Sequence, residues 1–414
     1  MKVRSLFLFL MLFFFDGVWG LSVFGEENIS SLLYHKIATF GCLVFSIGSL
    51  SFNKTRIRRG GLYNKFWYLF FISIIFSFLL GSYAIFGEPL NKILNALFWF
   101  SSGLIYFALS RSYSSRENLD VVINTFVWYG LAAALFSVIT SFFYSPDIFS
   151  TTTINHDASE RFGFTRIAGI AENSIIFTFF YALVAISNQD KRFLVNLFLI
   201  FITGLSIFAI AASRQIILSA IVVIVLFSLK GLFYRKRHGF ALLSLMAGFL
   251  LLPFMSIYLL VILDSINVNT GNELDGSSFA IRGLAIAYYF EYFQMTNWIG
   301  FGWMPTYEDA SANFLSEATN TLNFRLVDLG VATVLFTHGI AGVLLVLLFY
   351  YISFRALKNN NDSVSLTIRC FLLLKFLTFN YLFYWPSFTF FFAILAFGID
   401  TISREANARF ETKK

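Results

Sequence analysis

The chain has 414 residues, of which 58% are hydrophobic and 13% charged, whereas soluble domains carry about 25% charged residues. A soluble globular fold is thereby excluded and a polytopic membrane protein implied. The net charge of +7 does not indicate nucleic acid, because the basic residues sit in short connections between apolar runs rather than on one exposed face.

In chain order, residues 1–24 begin with Lys2 and Arg4 and continue apolar. They read as a signal peptide ending at Val18-Trp19-Gly20 or, the preferred reading, as a first transmembrane helix. Further apolar runs cover 32–52, 66–86, 90–110, 121–143, 167–187, 193–212, 216–233, 240–263, 329–354, 366–383 and 387–402. Each is near the ~20 residues that cross a bilayer, so the expected fold class is all-α, a polytopic integral membrane protein of about twelve transmembrane helices. The connections 53–65, 110–118, 189–192, 230–238 and 355–369, with residues 2–4 and the tail from Arg404, hold most of the 30 Lys and Arg residues. That assigns this side, and both termini, to the cytoplasm. The opposite side receives 25–31, the turn 87–89, the connection 144–166, the corner 213–215 and the long stretch 264–328.

That stretch divides the chain into helices over 1–263, a large outer loop over 264–328, and last helices with a cytoplasmic tail over 329–414. A structureless connection of this length is uncommon, which favours a small folded cap. Within it Ile281, Leu284, Ala285, Tyr288, Tyr292 and Met295 recur at helical spacing after Ser277 or Ser278. They predict an amphipathic helix over 279–297, lying along the membrane surface. Gly300-Phe301-Gly302-Trp303 and Pro305 must end it, and a weaker helical stretch runs over 309–324.

Arg161, Arg166, Arg214, Arg282 and Arg325 stay on the outer side against the positive-inside tendency. An arginine at bilayer depth costs about 2.5–3.5 kcal/mol, so it faces a polar cavity or a partner. Its planar donor fork suits phosphate oxygens; the alternative is anchoring at headgroups or pairing with loop carboxylates. Glu172 lies a few residues into an apolar run and is expected to pair with Arg166 or Arg214, the other reading being a site acid. At 4 Å such a pair gains about 4 kcal/mol at an effective dielectric of 20. His338 precedes Gly339-Ile340-Ala341-Gly342, where a small-residue helix crossing explains the glycines and a hydrogen-bonded core position explains the imidazole. Facing a cavity, it would suit a general base. Lys375, in a late run, is close enough to its end to snorkel, and no site is built on it. Cys42 and Cys370 lie within apolar runs, and His, Cys and carboxylates show no metal-ligand spacing, so no disulfide framework or metal site is argued.

Three patterns together resemble the O-antigen ligase and polymerase superfamily of bacterial envelope polysaccharide assembly. They are RIAGIAENS at 166–174, AASRQIILSA at 211–220, and FAIRGLAIAYYFEYFQMTNWIGFGW at 279–303 leading to DLGVATVLFTHGIAGVLLV at 328–346. The resemblance implies a GT-C-like fold in the bacterial inner membrane. It also implies a metal-independent glycosyltransferase without cofactor, whose donor is an undecaprenyl-diphosphate-linked oligosaccharide. Arg166, Arg214 and Arg282 match the family's arginines and are assigned to the diphosphate. Arg161, Arg325 and Glu172 join them in substrate binding, and Asp328, His338 or a loop carboxylate is the candidate base. Ligases of this superfamily carry a His beside Asn late in the loop, and Ala312-Asn313 and Leu322-Asn323 stand here without one. The expected activity is therefore a polymerase joining repeat units of O-antigen or exopolysaccharide at the periplasmic face. The alternatives are a ligase transferring glycan to lipid A-core and a lipid-linked oligosaccharide flippase or small-anion transporter. Membrane lipid, a chain-length regulator and a flippase are the expected partners; nucleic acid is not.

Overall fold

The computed structural model describes residues 3–15, 31–52, 61–112, 116–143, 160–161, 164–165, 171–188, 192–211, 214–235, 278–302, 322, 329, 331–358, 360–378 and 386–411. The expected span 240–263 lies outside them, as does most of the loop 264–328, including the weaker helical stretch over 309–324 except Leu322. The described residues form helices and their connecting turns, with one antiparallel pairing, β1 (Glu160–Arg161) with β2 (Phe164–Thr165). The helices are α1 (Val3–Phe15), α2 (Ser31–Phe52), α3 (Asn64–Phe76), α4 (Leu90–Phe100), α5 (Ile105–Ser112), α6 (Arg116–Phe142) and α7 (Glu172–Ser187). They continue with α8 (Phe193–Leu205), α9 (Arg214–Arg235), α10 (Ser278–Met295), α11 (Val331–Leu357), α12 (Ser363–Thr378) and α13 (Pro386–Glu411).

Apolar runs of this kind form helices because a backbone in hydrocarbon must satisfy its own N–H and C=O groups. Among the described residues, Asn64–Ile85, Arg116–Phe142 and Ala332–Leu357 are long and apolar enough to cross a membrane. The outer surface fits a lipid solvent: Trp128 is 62% exposed, Phe143 75% and Leu194 77%, and apolar exposure on this scale marks a surface covered by something other than water. These are the helices of a membrane-associated protein.

Several elements depart from the expected spans. The run 90–110 is divided by a 3-10 turn, Ser101–Leu104, where Ser101 Oγ donates to the Phe98 carbonyl at 2.6 Å and competes with the helical ladder. The turn is pressed against α3, since a Cβ on Gly103 would lie 2.8 Å from the Trp67 ring. Helix α3 continues as a π-helix over Ser77–Ile85, and α8 as another over Ser206–Ala211. Helix α7 starts at Glu172, after Ala171 at φ 45°, so Glu172 opens the helix instead of lying inside it. Likewise α9 starts at Arg214, which is thus a helical residue and not part of a corner.

The core is aromatic. Phe126 of α6 meets Phe391 of α13 at 4.9 Å, Phe371 of α12 meets Phe391 at 5.2 Å, and Phe177 of α7 meets Phe371 at 5.9 Å. Helix α1 joins this core through buried Leu8, Leu12 and Phe15, the last 4.7 Å from Phe390. Where α6 crosses α7, a Cβ on Gly130 would stand 2.4 Å from the Ser174 carbonyl, so only glycine lets the two backbones approach this closely.

Polar contacts sort the helix ends into two groups. In one, Arg116 at the start of α6 pairs with Asp362 before α12 at 2.5 Å and with Glu405 of α13 at 3.6 Å. Asn188, past the end of α7, donates to Ser363 at 2.8 Å, and Tyr63 shares a 2.6 Å hydrogen bond with Ser353. Buried Asp400 accepts from the Leu62 N–H and the Tyr106 hydroxyl, both at 3.3 Å, and from Arg404 Nε at 3.2 Å. Connections assigned to one side by their basic residues thus meet in space. The opposite group contains the starts of α7, α9 and α11, the end of α12, the π-helical end of α3, and α10.

Candidate functional site

At this second end α11 is broken. Gly339, at φ 68° and ψ −166°, interrupts the helix and frees the carbonyls of Phe336 and Thr337, which would otherwise accept from the next turn. The segment after α10 supplies the missing donors: Phe301 N–H reaches the Phe336 carbonyl at 2.7 Å and Gly302 N–H the Thr337 carbonyl at 2.9 Å. In return, Ile340 N–H donates to the Trp298 carbonyl at 3.2 Å. Non-helical backbone at this depth is stable only when buried in protein and satisfied in this way. The sequence expectation of a small-residue helix crossing at Gly339 is therefore corrected. What packs there is a short docked strand of irregular backbone, residues 298–302, outside any sheet, and a Cβ on Gly339 would lie 2.3 Å from the Trp298 and Ile299 carbonyls.

The π-helix holds the other edge of the strand. Ser77 Oγ donates to the Ile299 carbonyl at 3.3 Å and Ser82 Oγ to the Phe301 carbonyl at 2.5 Å. Helix α10 covers the strand with a stripe of Ala285, Tyr289 and Phe293, packed on Phe301 and Phe336. The predicted stripe included Leu284 and Met295, which are instead 53% and 61% exposed. Desolvation raises the Tyr289 hydroxyl above the usual tyrosine range. His338 adjoins the break, 3% exposed, its ring edge-on to Phe100 at 5.8 Å.

The charged part of this end is built from different elements. Strands β1 and β2 pair Arg161 with Phe164 in register; β2 packs against α6 and the π-helix Ser206–Ala211, which leads towards α9 and Arg214. Helix α12 packs against both α7 and α9. Near its end Lys375, with a side chain 0% exposed, reaches Glu172 Oε1 at 2.9 Å. The ammonium lies 5.9 Å from the Phe371 ring centroid and 5.7 Å from that of Phe388.

Among the described side chains the partner of Glu172 is Lys375; of the expected partners, Arg166 and the Arg214 side chain lie outside the described residues. Lys375 itself is buried inside the bundle and does not snorkel to an interface. An ionisable residue inside an apolar run ordinarily faces a partner, and that rule, applied to Lys375, was the signal available in the sequence. Of the other predicted residues, Arg161, Arg214 and Arg282 are placed by their backbones, in β1, at the first position of α9 and in α10. Arg166, Arg325 and Asp328 lie outside the described residues. The elements bearing Arg161, Glu172 and Arg214 thus share one region with Lys375, while those bearing Arg282 and His338 flank the docked strand. Among the described residues no group of His, Cys, Asp and Glu could hold a metal ion.

No protein-family model matches the chain, and no match to it is found among curated proteins.

Proposed function

We propose that the chain is a glycosyltransferase that joins undecaprenyl-diphosphate-linked oligosaccharide repeat units into O-antigen or exopolysaccharide at the outer face of the bacterial inner membrane. The observation that carries this reading is the meeting, at one end of the bundle, of the elements that bear Arg161 and Arg214 with the Glu172–Lys375 pair, whose ammonium is buried. A lipid diphosphate has to lie at such an end, because its tail stays in the bilayer while its sugars project. In the reaction the acceptor hydroxyl attacks the anomeric carbon, the bond to the diphosphate oxygen breaks, and negative charge develops on the leaving diphosphate. Arg166, Arg214 and Arg282 stabilise that charge, with Arg161 and Arg325 orienting the donor and Glu172 lining its site. The acceptor proton goes to a carboxylate of the outer loop, Asp328 first. His338 is the weaker choice, since its burial beside the break keeps it from an acceptor.

Arg214 tests the proposal. Lysine keeps the charge and loses the fork, so Arg214→Lys retains little activity and Arg214→Ala falls by about 10²–10³ in rate, seen as polymer collapsing to single units. Wild-type chain lengths from an Arg214→Ala protein present at wild-type level would remove Arg214 from the mechanism.

A flippase is the second reading, favoured by the break in α11, because discontinuous helices mark transporter sites. A deletion strain separates the two: without a flippase the repeat units stay on the inner leaflet, and without a polymerase single exported units reach the final carrier.

A further inference from the structure

Resting on the diphosphate donor just proposed, we propose that Lys375 is a phosphate-binding residue of the same site, with Glu172 occupying the anion's place until the donor arrives. The pair is asymmetric. Lys375 is wholly buried, whereas the Glu172 side chain is 29% exposed, so an anion entering from the exposed side meets Glu172 first and finds the ammonium behind it. An ammonium has three donors, and among the described residues Glu172 is the one side chain that accepts from it. The flanking Phe371 and Phe388 rings favour a cation through their faces and offer it no oxygen. Exchanging a carboxylate for a phosphate oxygen therefore keeps the buried charge compensated throughout.

The surroundings favour an anion as well. Glu172 is the first residue of α7, and Ala171 before it makes no side-chain cap. The N–H groups of that turn thus add positive potential where the carboxylate sits. Helix α12 also packs against α9, whose first residue is Arg214. The helix that carries Lys375 thereby touches both α7, which Glu172 opens, and the helix that opens at Arg214, which the proposed function assigns to the diphosphate. The competing account is an ion pair that merely fastens α7 to α12, and it makes different predictions.

The test is binding of farnesyl diphosphate to the purified full-length protein in detergent, with farnesol and inorganic diphosphate as comparison arms. The double variant Lys375→Met/Glu172→Gln removes both charges and leaves neither buried alone, a replacement that folds tolerate. It is expected to melt near wild type and to bind farnesyl diphosphate about ten- to a hundredfold more weakly, the worth of one hydrogen bond to a charged group. Glu172→Gln alone removes the competing carboxylate and is expected to tighten binding severalfold; a purely structural pair gives no tightening. Wild-type affinity in the double variant overturns the assignment, as does unchanged or weaker binding in Glu172→Gln, which decides the matter should the double variant not fold. If the wild-type protein binds farnesyl diphosphate no better than farnesol, the diphosphate reading and this one both fall. If inorganic diphosphate binds as well as the lipid and loses affinity in the double variant, the Lys375 assignment stands and the lipid source of the anion falls.

Discussion

Gly339 sits in a run without an Asp, Glu, Lys or Arg, and its structural consequence comes from backbone geometry. At φ 68° and ψ −166° it occupies a region essentially open to glycine alone, where any other residue costs about 1–3 kcal/mol. A methyl group would add a clash at 2.3 Å with two carbonyls of the docked strand, and those carbonyls belong to backbone that cannot swing aside. Gly339→Ala is therefore expected to expel the strand 298–302, lowering thermal stability and opening the segment after α10 to protease. Gly48→Ala is the control: nothing lies within 4 Å of its added Cβ, and in a helix the change gains up to about 1 kcal/mol. Equal melting temperatures for Gly339→Ala and wild type would show that the strand does not hold the break closed. Glycine and histidine at 338–339 are visible in the sequence. The break is not, because a sequence gives no sign of which distant N–H groups will satisfy the carbonyls it exposes.

Helices themselves were largely legible, and the face each presents was not. The spacing of 279–297 predicts a helix that the structure places at Ser278–Met295. Yet Leu284, Ala285, Tyr288, Tyr289 and Phe293 make it apolar on more than one side, so periodicity alone cannot choose the buried stripe; Phe301 and Phe336 choose it. Burial similarly ranks the contacts between helices at the opposite end. Asp400 is 2% exposed and joins α13 to the start of α3 and to Tyr106; Asp362 is about a third exposed beside Arg116. Asp400→Ala leaves the buried Tyr106 hydroxyl, the Leu62 N–H and the partly exposed Arg404 without this acceptor and is expected to cost about 1–3 kcal/mol. Asp362→Ala loses an exposed ion pair worth less than about 1 kcal/mol together with its cap on the Ser365 N–H, and the ion-pair part of that loss should shrink in high salt, where exposed pairs are screened. Denaturant unfolding of both variants at two salt concentrations checks the ranking. A larger loss for Asp362→Ala would make the exposed network around Arg116 the main fastening of α6, α12 and α13.

At the scale of the whole molecule, two independent kinds of observation divide the helix ends in the same way. Lys and Arg usage puts 53–65, 110–118, 189–192, 355–369 and the tail on one side; contacts join residues from these connections, as Arg116 with Asp362 and Glu405 and Asn188 with Ser363. Glu172 with Lys375, and the strand with the broken helix, occupy the other end. The ends were legible because each follows from a local count of basic residues, whereas the pair Glu172–Lys375 spans 203 positions and no local pattern announces it. Labelling tests the division directly, since both native cysteines, Cys42 and Cys370, are buried and give little background. Gln294→Cys on α10 and Phe143→Cys after α6, both exposed, should react with a membrane-impermeant maleimide added to spheroplasts. Glu117→Cys and Asn361→Cys, also exposed, should react only after the membrane is permeabilised. Gln294→Cys and Glu117→Cys reacting from the same side would break the two-ended arrangement. The complete reverse pattern would keep that arrangement and invert the chain in the membrane, turning the arginine-bearing end towards the cytoplasm, where no exported lipid-linked donor could meet it.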